Sequence, residues 1–192
     1  MGGSQVDLSG LVFIPITNKE CPPEWMVKNI WLAVLPFQPE MNVIGFDPGR
    51  NYGFTYIRND GSAYIHNGTL TKSDYVSYGK DLFHLACDVA EYFDNTLTVI
   101  EGASYGDKYG QVGLAYMRFG LYLGSLMGGT AKVEIVAPRK INKQVFGSGK
   151  TNGKYTWTSI DHNAADSLVI ALYAAGYNHL SQSVNMPILP NK

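Results

Sequence analysis

The order of elements along this chain predicts an α/β domain with a mixed five-stranded sheet flanked by helices. Three observations carry that expectation. Two short apolar runs, Val43–Phe46 and Leu97–Ile100, each end at an acid, Asp47 and Glu101. Between them lie two further strand-like runs joined by a tight turn. Three helix-length segments of 3.6-residue spacing separate or follow the strands.

The elements follow in order. Val43–Phe46 has the composition of a strand buried on both faces and stops at Asp47-Pro48-Gly49. Asn51–Ile57 and Ser62–Ile65 flank Asn59-Asp60-Gly61, where glycine supplies the positive φ of a hairpin turn. Ser73–Phe93 spaces Val76, Leu82, Phe83, Leu85, Ala86, Val89 and Phe93 as one helical face. Leu97–Ile100 is the fourth strand, Val112–Met127 a second helix, Val133–Val136 the fifth strand and Ala164–Tyr177 a terminal helix. Three meandering strands followed by alternating helices and strands give a ribonuclease-H-like arrangement. The first forty residues read differently, with prolines at 15, 22, 23, 36 and 39. Pro22-Pro23-Glu24 predicts the opening of a short helix through Trp25–Leu35, because proline and acid both suit a first turn. The expected organisation is an extension over 1–40, a body over 41–180 and a tail over 181–192.

Length and composition bound the function. The chain has 192 residues, 45% apolar and 16% charged, enough for one domain with a substantial core plus an appendage. A net charge of −1 excludes a uniformly basic nucleic-acid coat but leaves room for a local basic patch. Cys21 and Cys87 are far apart in sequence, which excludes a CxxC metal site and a disulfide framework. Arg118 interrupts the longest apolar stretch, so no membrane span is expected. The N-terminus lacks the basic start of a secretory signal. A soluble protein of a reducing compartment is expected.

Three acids stand where chemistry would use them. Asp47 and Glu101 end strands that can lie side by side at one sheet edge, and Asp166 sits in the first turns of the last helix within Ala164-Ala165-Asp166-Ser167-Leu168. Taken singly, each has an ordinary account as a turn residue, a solvated strand end or a dipole-favoured helix start. Taken together, three converging carboxylates repel one another unless a cation neutralises them. Hard oxygen ligands suit Mg²⁺ or Mn²⁺. Two such ions about 4 Å apart activate a water and stabilise the leaving oxygen of a phosphodiester.

Val43-Ile44-Gly45-Phe46-Asp47-Pro48-Gly49-Arg50, with Gly53 following, resembles the opening motif of the RuvC family of Holliday-junction resolvases. Thr98-Val99-Ile100-Glu101-Gly102 is similar to that family's second acidic strand, and Ala164–Leu168 with Ile170-Ala171-Leu172 to its C-terminal acidic helix. Ala137-Pro138-Arg139-Lys140 through Gly147-Ser148-Gly149 resembles its basic helix and glycine turn. The resemblance spans Met41 to about His179. It implies a homodimeric endonuclease that cuts four-way and related branched DNA by symmetric nicking to 5′-phosphate ends. It also implies metal ligation by Asp47, Glu101 and Asp166, with Asp47 bridging two ions. The chain departs from the family pattern at Asn163, where the family carries Asp or His as a fourth ligand. On a helix His162 lies about 40° and Asn163 about 60° from Asp166, on opposite sides, so either reaches the same ions. Asp161 reaches them only from an N-cap position and is the harder ligand; its ordinary alternative is the cap itself. The short stretch between glycine turn and last helix associates the chain with phage or organellar resolvases. The location implied is a bacterial or phage-infected cytoplasm, or an organellar matrix.

The segment Lys132–Lys154 holds six basic residues, Lys132, Arg139, Lys140, Lys143, Lys150 and Lys154, against one acid, Glu134. Interleaved with Gly147, Gly149 and Gly153, it reads as a phosphate-contacting strip beside the acidic site, its ordinary alternative being a solvated helix face. Arg50 and Lys108 join it as candidate DNA contacts. By resemblance, Lys140 or Lys143, and Lys150 or Lys154, stand near the family's catalytic lysines; Lys143 is the candidate carried forward. Tyr105, or Tyr109, matches an aromatic that wedges into the junction, with simple packing as its alternative. Gly113, Gly120 and Gly124 predict a close helix contact at a two-fold dimer interface, or else a contact within the chain. Two rival classes remain: a junction-binding module with weak or absent catalysis, raised by Asn163, and an actin-like phosphotransferase, which needs a second lobe that this length does not supply.

Overall fold

The computed structural model describes residues 8, 10–16, 29–71, 74–94, 97–103, 111–149 and 156–179. Strands β1 (Ile14–Pro15), β2 (Ile30–Val34), β3 (Val43–Asp47), β4 (Asn51–Ile57) and β5 (Ser62–Thr69) precede helix α1 (Tyr75–Tyr92). Strand β6 (Leu97–Glu101), helix α2 (Gln111–Met127), strand β7 (Lys132–Val136), helix α3 (Pro138–Phe146) and helix α4 (His162–Ala174) complete the described elements. The strands form one sheet in the order β1-β2-β5-β4-β3-β6-β7. β6 pairs parallel with β3 and with β7, and the remaining pairs are antiparallel.

The five expected strands are present and contiguous, but the sheet is wider than expected by two. Ile30–Val34 was predicted within a helix over Trp25–Leu35 and is instead a strand, antiparallel to β5 from Ile30 opposite His66 to Val34 opposite Ser62. The reason lies in tertiary context. The run Ile-Trp-Leu-Ala-Val favours extended backbone, Pro36 stops any helix directly behind it, and β5 otherwise presents an open row of N–H and C=O groups. The same segment then folds over the hairpin turn: the Leu35 amide donates to the Gly61 carbonyl at 2.9 Å, and Leu35 and Phe37 are buried. Gly61 has φ +87°, the left-handed turn its position predicts. The Trp157 indole N–H donates to the Leu8 carbonyl at 2.7 Å, which ties the start of the chain to the segment leading into α4.

Two apolar layers sandwich the sheet. Val43, Ile57, Ile65 and Val99 pack on one face against Ala164, Leu168, Ala171 and Leu172 of α4 and Ile141 and Val145 of α3. Ile44, Phe46, Phe54 and Ile100 pack on the other against Tyr78, Leu82 and Val89 of α1 and Met117 and Leu121 of α2. This two-residue alternation matters for the site, because continuing it places Asp47 and Glu101 on the α4 face. Glycines let α4 lie directly on the sheet there. A Cβ on Gly45 would stand 2.8 Å from the Ser167 carbonyl oxygen, and one on Gly53, the residue opposite Asp47, would overlap the Asn163 carbonyl. Thr55 and Ser167 hydroxyls meet at 2.8 Å in the buried seam, and Ser167 Oγ donates to the Ala164 carbonyl at 2.8 Å. α4 is thereby pinned one residue from Asp166.

The glycines of α2 face inward. Gly113 lies against Tyr75, Gly120 against Gly79 and Gly124 against Phe83, so their close contact is with α1 of the same chain and not with a second copy. The opposite side of α2 carries the exposed apolar side chains Val112, Tyr116, Phe119, Leu123 and Leu126.

Candidate active site

Parallel pairing puts Phe46 opposite Ile100, so the next residues, Asp47 and Glu101, emerge together at the carboxyl ends of β3 and β6. Asp166 comes to the same place from the second turn of α4. Glu101 and Asp166 line a cavity of about 260 Å³ whose other walls include Pro138, Ile141 and Asn142 of α3. Asn142 is the polar α3 side chain in that cavity. Its neighbour Lys143, the lysine expected near the reaction, is exposed. Burial of Ile141 and Val145 against α4 fixes this helix phase.

The carboxyls press on one another. Burial first, then the Glu101 and Asp166 carboxylates, hold Asp47 well above the usual carboxylate range. Burial and Asp166 push Glu101 to about 7. Against them stands Arg118, half-buried on α2, which opposes both shifts. Arg118 Nε donates to the Glu101 carbonyl at 2.9 Å and Nη2 to the Gly102 carbonyl at 3.1 Å. Sequence reasoning noted this arginine only as an interruption of an apolar run. A lone cation within Gln111–Met127 was nonetheless the available signal. Asn142 gave none before the helix phase was known.

Asp161 is the N-cap of α4. Its Oδ1 accepts from the Asn163 amide N–H at 2.9 Å and from Asn163 Nδ2 at 3.0 Å, while Oδ2 lies 3.7 Å from His162 Nδ1. Asp161 also contributes to the upward pressure on Asp47, which places its charge toward the site. His162 is exposed. Among the described residues, no three His, Cys, Asp or Glu side chains stand in ready-made ligand geometry. The donor chemistry fits a hard divalent cation all the same, since three oxygen-bearing side chains come close enough that Glu101 and Asp166 raise the protonation of Asp47, and Asp166 that of Glu101.

The basic candidates divide. Arg50, Arg139, Lys140 and Lys143 are exposed. The aliphatic part of Arg139 lies beside Gly149, and Lys140 Nζ sits 5.8 Å over the Tyr173 ring. Tyr105, Lys108, Tyr109, Lys150 and Lys154 lie outside the described residues. No described helix is long and apolar enough to cross a membrane.

Glu101 carries a pH prediction. Its folded pKa near 7 exceeds its ordinary 4.5, so the native state holds the proton more tightly. The stability this confers is full below about 4.5 and is lost as pH rises through about 7. In chelator, Glu101→Gln is therefore more stable than wild type at pH 8, by on the order of 1–3 kcal/mol or a few degrees of Tm, and the gap closes toward pH 5. Thermal unfolding across that range checks it; a gap independent of pH contradicts it.

Neither a family model nor a curated protein sequence matches the chain. Solved structures do. Thermus thermophilus RuvC superposes with a TM-score of 0.56 at 16% identity, covering 72% of this chain and 98% of its own. T. thermophilus RuvC in complex with a Holliday junction substrate gives 0.57 at 14% identity, covering 74% and 98%. The yeast mitochondrial Holliday junction resolvase Ydc2 gives 0.49 at 16% identity, covering 75% and 80%. What the Thermus structures share with this chain is the fold, and that fold is the ribonuclease-H-like fold of RuvC.

Proposed function

We propose that this protein is a divalent-metal-dependent endonuclease that resolves four-way DNA junctions, acting as a homodimer on branched DNA and leaving 5′-phosphate ends. The observation that carries the reading is the convergence of Asp47, Glu101 and Asp166 at the carboxyl ends of two parallel strands, beside an exposed basic helix, on a RuvC fold. In this reading residues 41–180 form the nuclease body and residues 1–40 an extension that widens its sheet, with 181–192 a tail.

Asp47, Glu101 and Asp166 hold Mg²⁺ or Mn²⁺, with Asp161 as the fourth oxygen donor. Support for Asp161 over His162 comes from its two hydrogen bonds from Asn163, which fix the carboxylate, and from its pressure on Asp47. A bound ion pair supplies Lewis-acid activation of the attacking water and charge stabilisation at the leaving oxygen. The chain's own residues do the positioning. Arg50, Arg139, Lys140 and Lys143 draw the phosphate backbone toward the cleft. Asn142, at its wall, offers an amide N–H to a phosphate oxygen. Val169 and Ile170 form an apolar wall beside Asp166. Lys108, Lys150, Lys154 and the Tyr105 wedge complete the proposed DNA surface.

The second copy docks on the exposed face of α2. Val112, Tyr116, Phe119, Leu123 and Leu126 recur at four- and three-residue steps, the seam along which two helices pack. A point-symmetric pair presents two cleavage sites to the two opposed strands of a symmetric junction.

Two measurements test this. With a labelled four-way junction in Mg²⁺ or Mn²⁺, wild type gives paired nicks in the junction but not in a linear duplex, and Asp47→Asn lowers the rate by about 10³-fold or more while leaving junction binding intact. Tight binding with no cutting by wild type would instead identify a recognition module. In sedimentation, wild type runs as a dimer and Phe119→Glu as a monomer that keeps its circular dichroism; a Phe119→Glu dimer would move the interface elsewhere.

A further inference from the structure

Arg118 is used by no step above, yet it is a guanidinium drawn into the interior beside an acidic cleft. Its position is specific. It springs from α2 between Met117, buried against the sheet, and Phe119, exposed on the opposite side. It spans the gap to the end of β6 and grips two successive carbonyls, Glu101 at 2.9 Å and Gly102 at 3.1 Å. From the other side, the Gly102 amide donates to the Val136 carbonyl of β7 at 2.7 Å. The turn that carries Glu101 is therefore held from both flanks. Neutral carbonyls alone do not require a full charge, because an amide or hydroxyl satisfies them. Arginine stays protonated in such a place, and lowering a guanidinium into a partly buried site costs free energy unless negative charge is near. Asp47 and Glu101 supply that charge.

We propose that Arg118 is a positioning residue that acts as a built-in counter-cation: it fixes the Glu101 turn and holds the Asp47 and Glu101 carboxylates together before any metal binds. The planar fork suits both tasks, since two N–H groups engage the carbonyls while the delocalised charge acts on the nearby carboxylates. The inference rests on the nuclease reading only in giving the carboxylates a purpose; the coupling itself belongs to the free protein.

A double-mutant cycle in chelator separates the charge role from plain packing. Thermal unfolding at pH 8.5, above the value of about 7 at which Glu101 gives up its proton, is compared for Arg118→Met made in the wild-type background and in an Asp47→Asn/Glu101→Gln background. If Arg118 offsets those charges, the Tm loss is about twofold or more larger in the charged background, and Arg118→Lys, which keeps the charge, loses less than Arg118→Met. A variant that folds only in the neutralised background leads to the same conclusion. Equal losses in both backgrounds, or failure to fold in both, would reduce Arg118 to a backbone clamp and overturn the proposal. Adding Mn²⁺ returns part of the Arg118→Met loss in the charged background. Absence of any Mn²⁺ effect on wild type would count against the metal reading and leave the cycle's answer standing.

Discussion

Parallel pairing of β3 with β6 is the constraint on which the site depends. Strand alternation allows an acid at the end of either strand to face α1 and α2 or to face α4, and the observed register both sends the two the same way and sets them level. With Phe46 opposite Ile100, and with Ile44, Phe46 and Ile100 filling the α1–α2 layer, Asp47 and Glu101 turn together toward α4. A slip of one residue would send one carboxylate into the apolar layer. The large side chains buried beneath β3 and β6 thus determine where the two carboxyls sit.

Bringing α4 to that edge needs a second device, the removal of side chains from the sheet below it. Gly45 and Gly53 leave the space in which the α4 backbone rests, and the Thr55–Ser167 hydroxyl pair fixes the helix along its axis. The result concentrates like charge in a partly buried cleft, which is unfavourable in isolation. The protein tolerates it through protonation, through the guanidinium of Arg118 and, in the proposed reading, through divalent cations. In that reading, stability and function pull against each other at the same three residues, as expected of a site that binds a cation.

The readable parts of this sequence were those whose local and tertiary preferences agree. The strand ends at Asp47 and Glu101 and the Gly61 hairpin followed from short-range patterns, whereas the basic α3 helix with its glycine stop came only from the family resemblance. Residues 30–34 did not, because a five-residue apolar run carries no period to separate strand from helix, and the open edge of β5 decided the matter. Gly113, Gly120 and Gly124 announced a close helix contact without saying with which helix; α1 took it, and the apolar side chains left outside became the candidate dimer face. Asn142 and Arg118 were hidden for another reason. Which side of a helix meets a cleft depends on how that helix packs, and packing is fixed by residues distant in sequence.

In the proposed reading Asp47, Glu101 and Asp166 together bind divalent metal. Anomalous diffraction from crystals grown in Mn²⁺ tests it most directly. Manganese peaks coordinated by all three carboxylates, and lost in Asp47→Asn, are the expected result. Manganese bound only elsewhere on the chain, or a cleft that stays empty at saturating Mn²⁺, would contradict it.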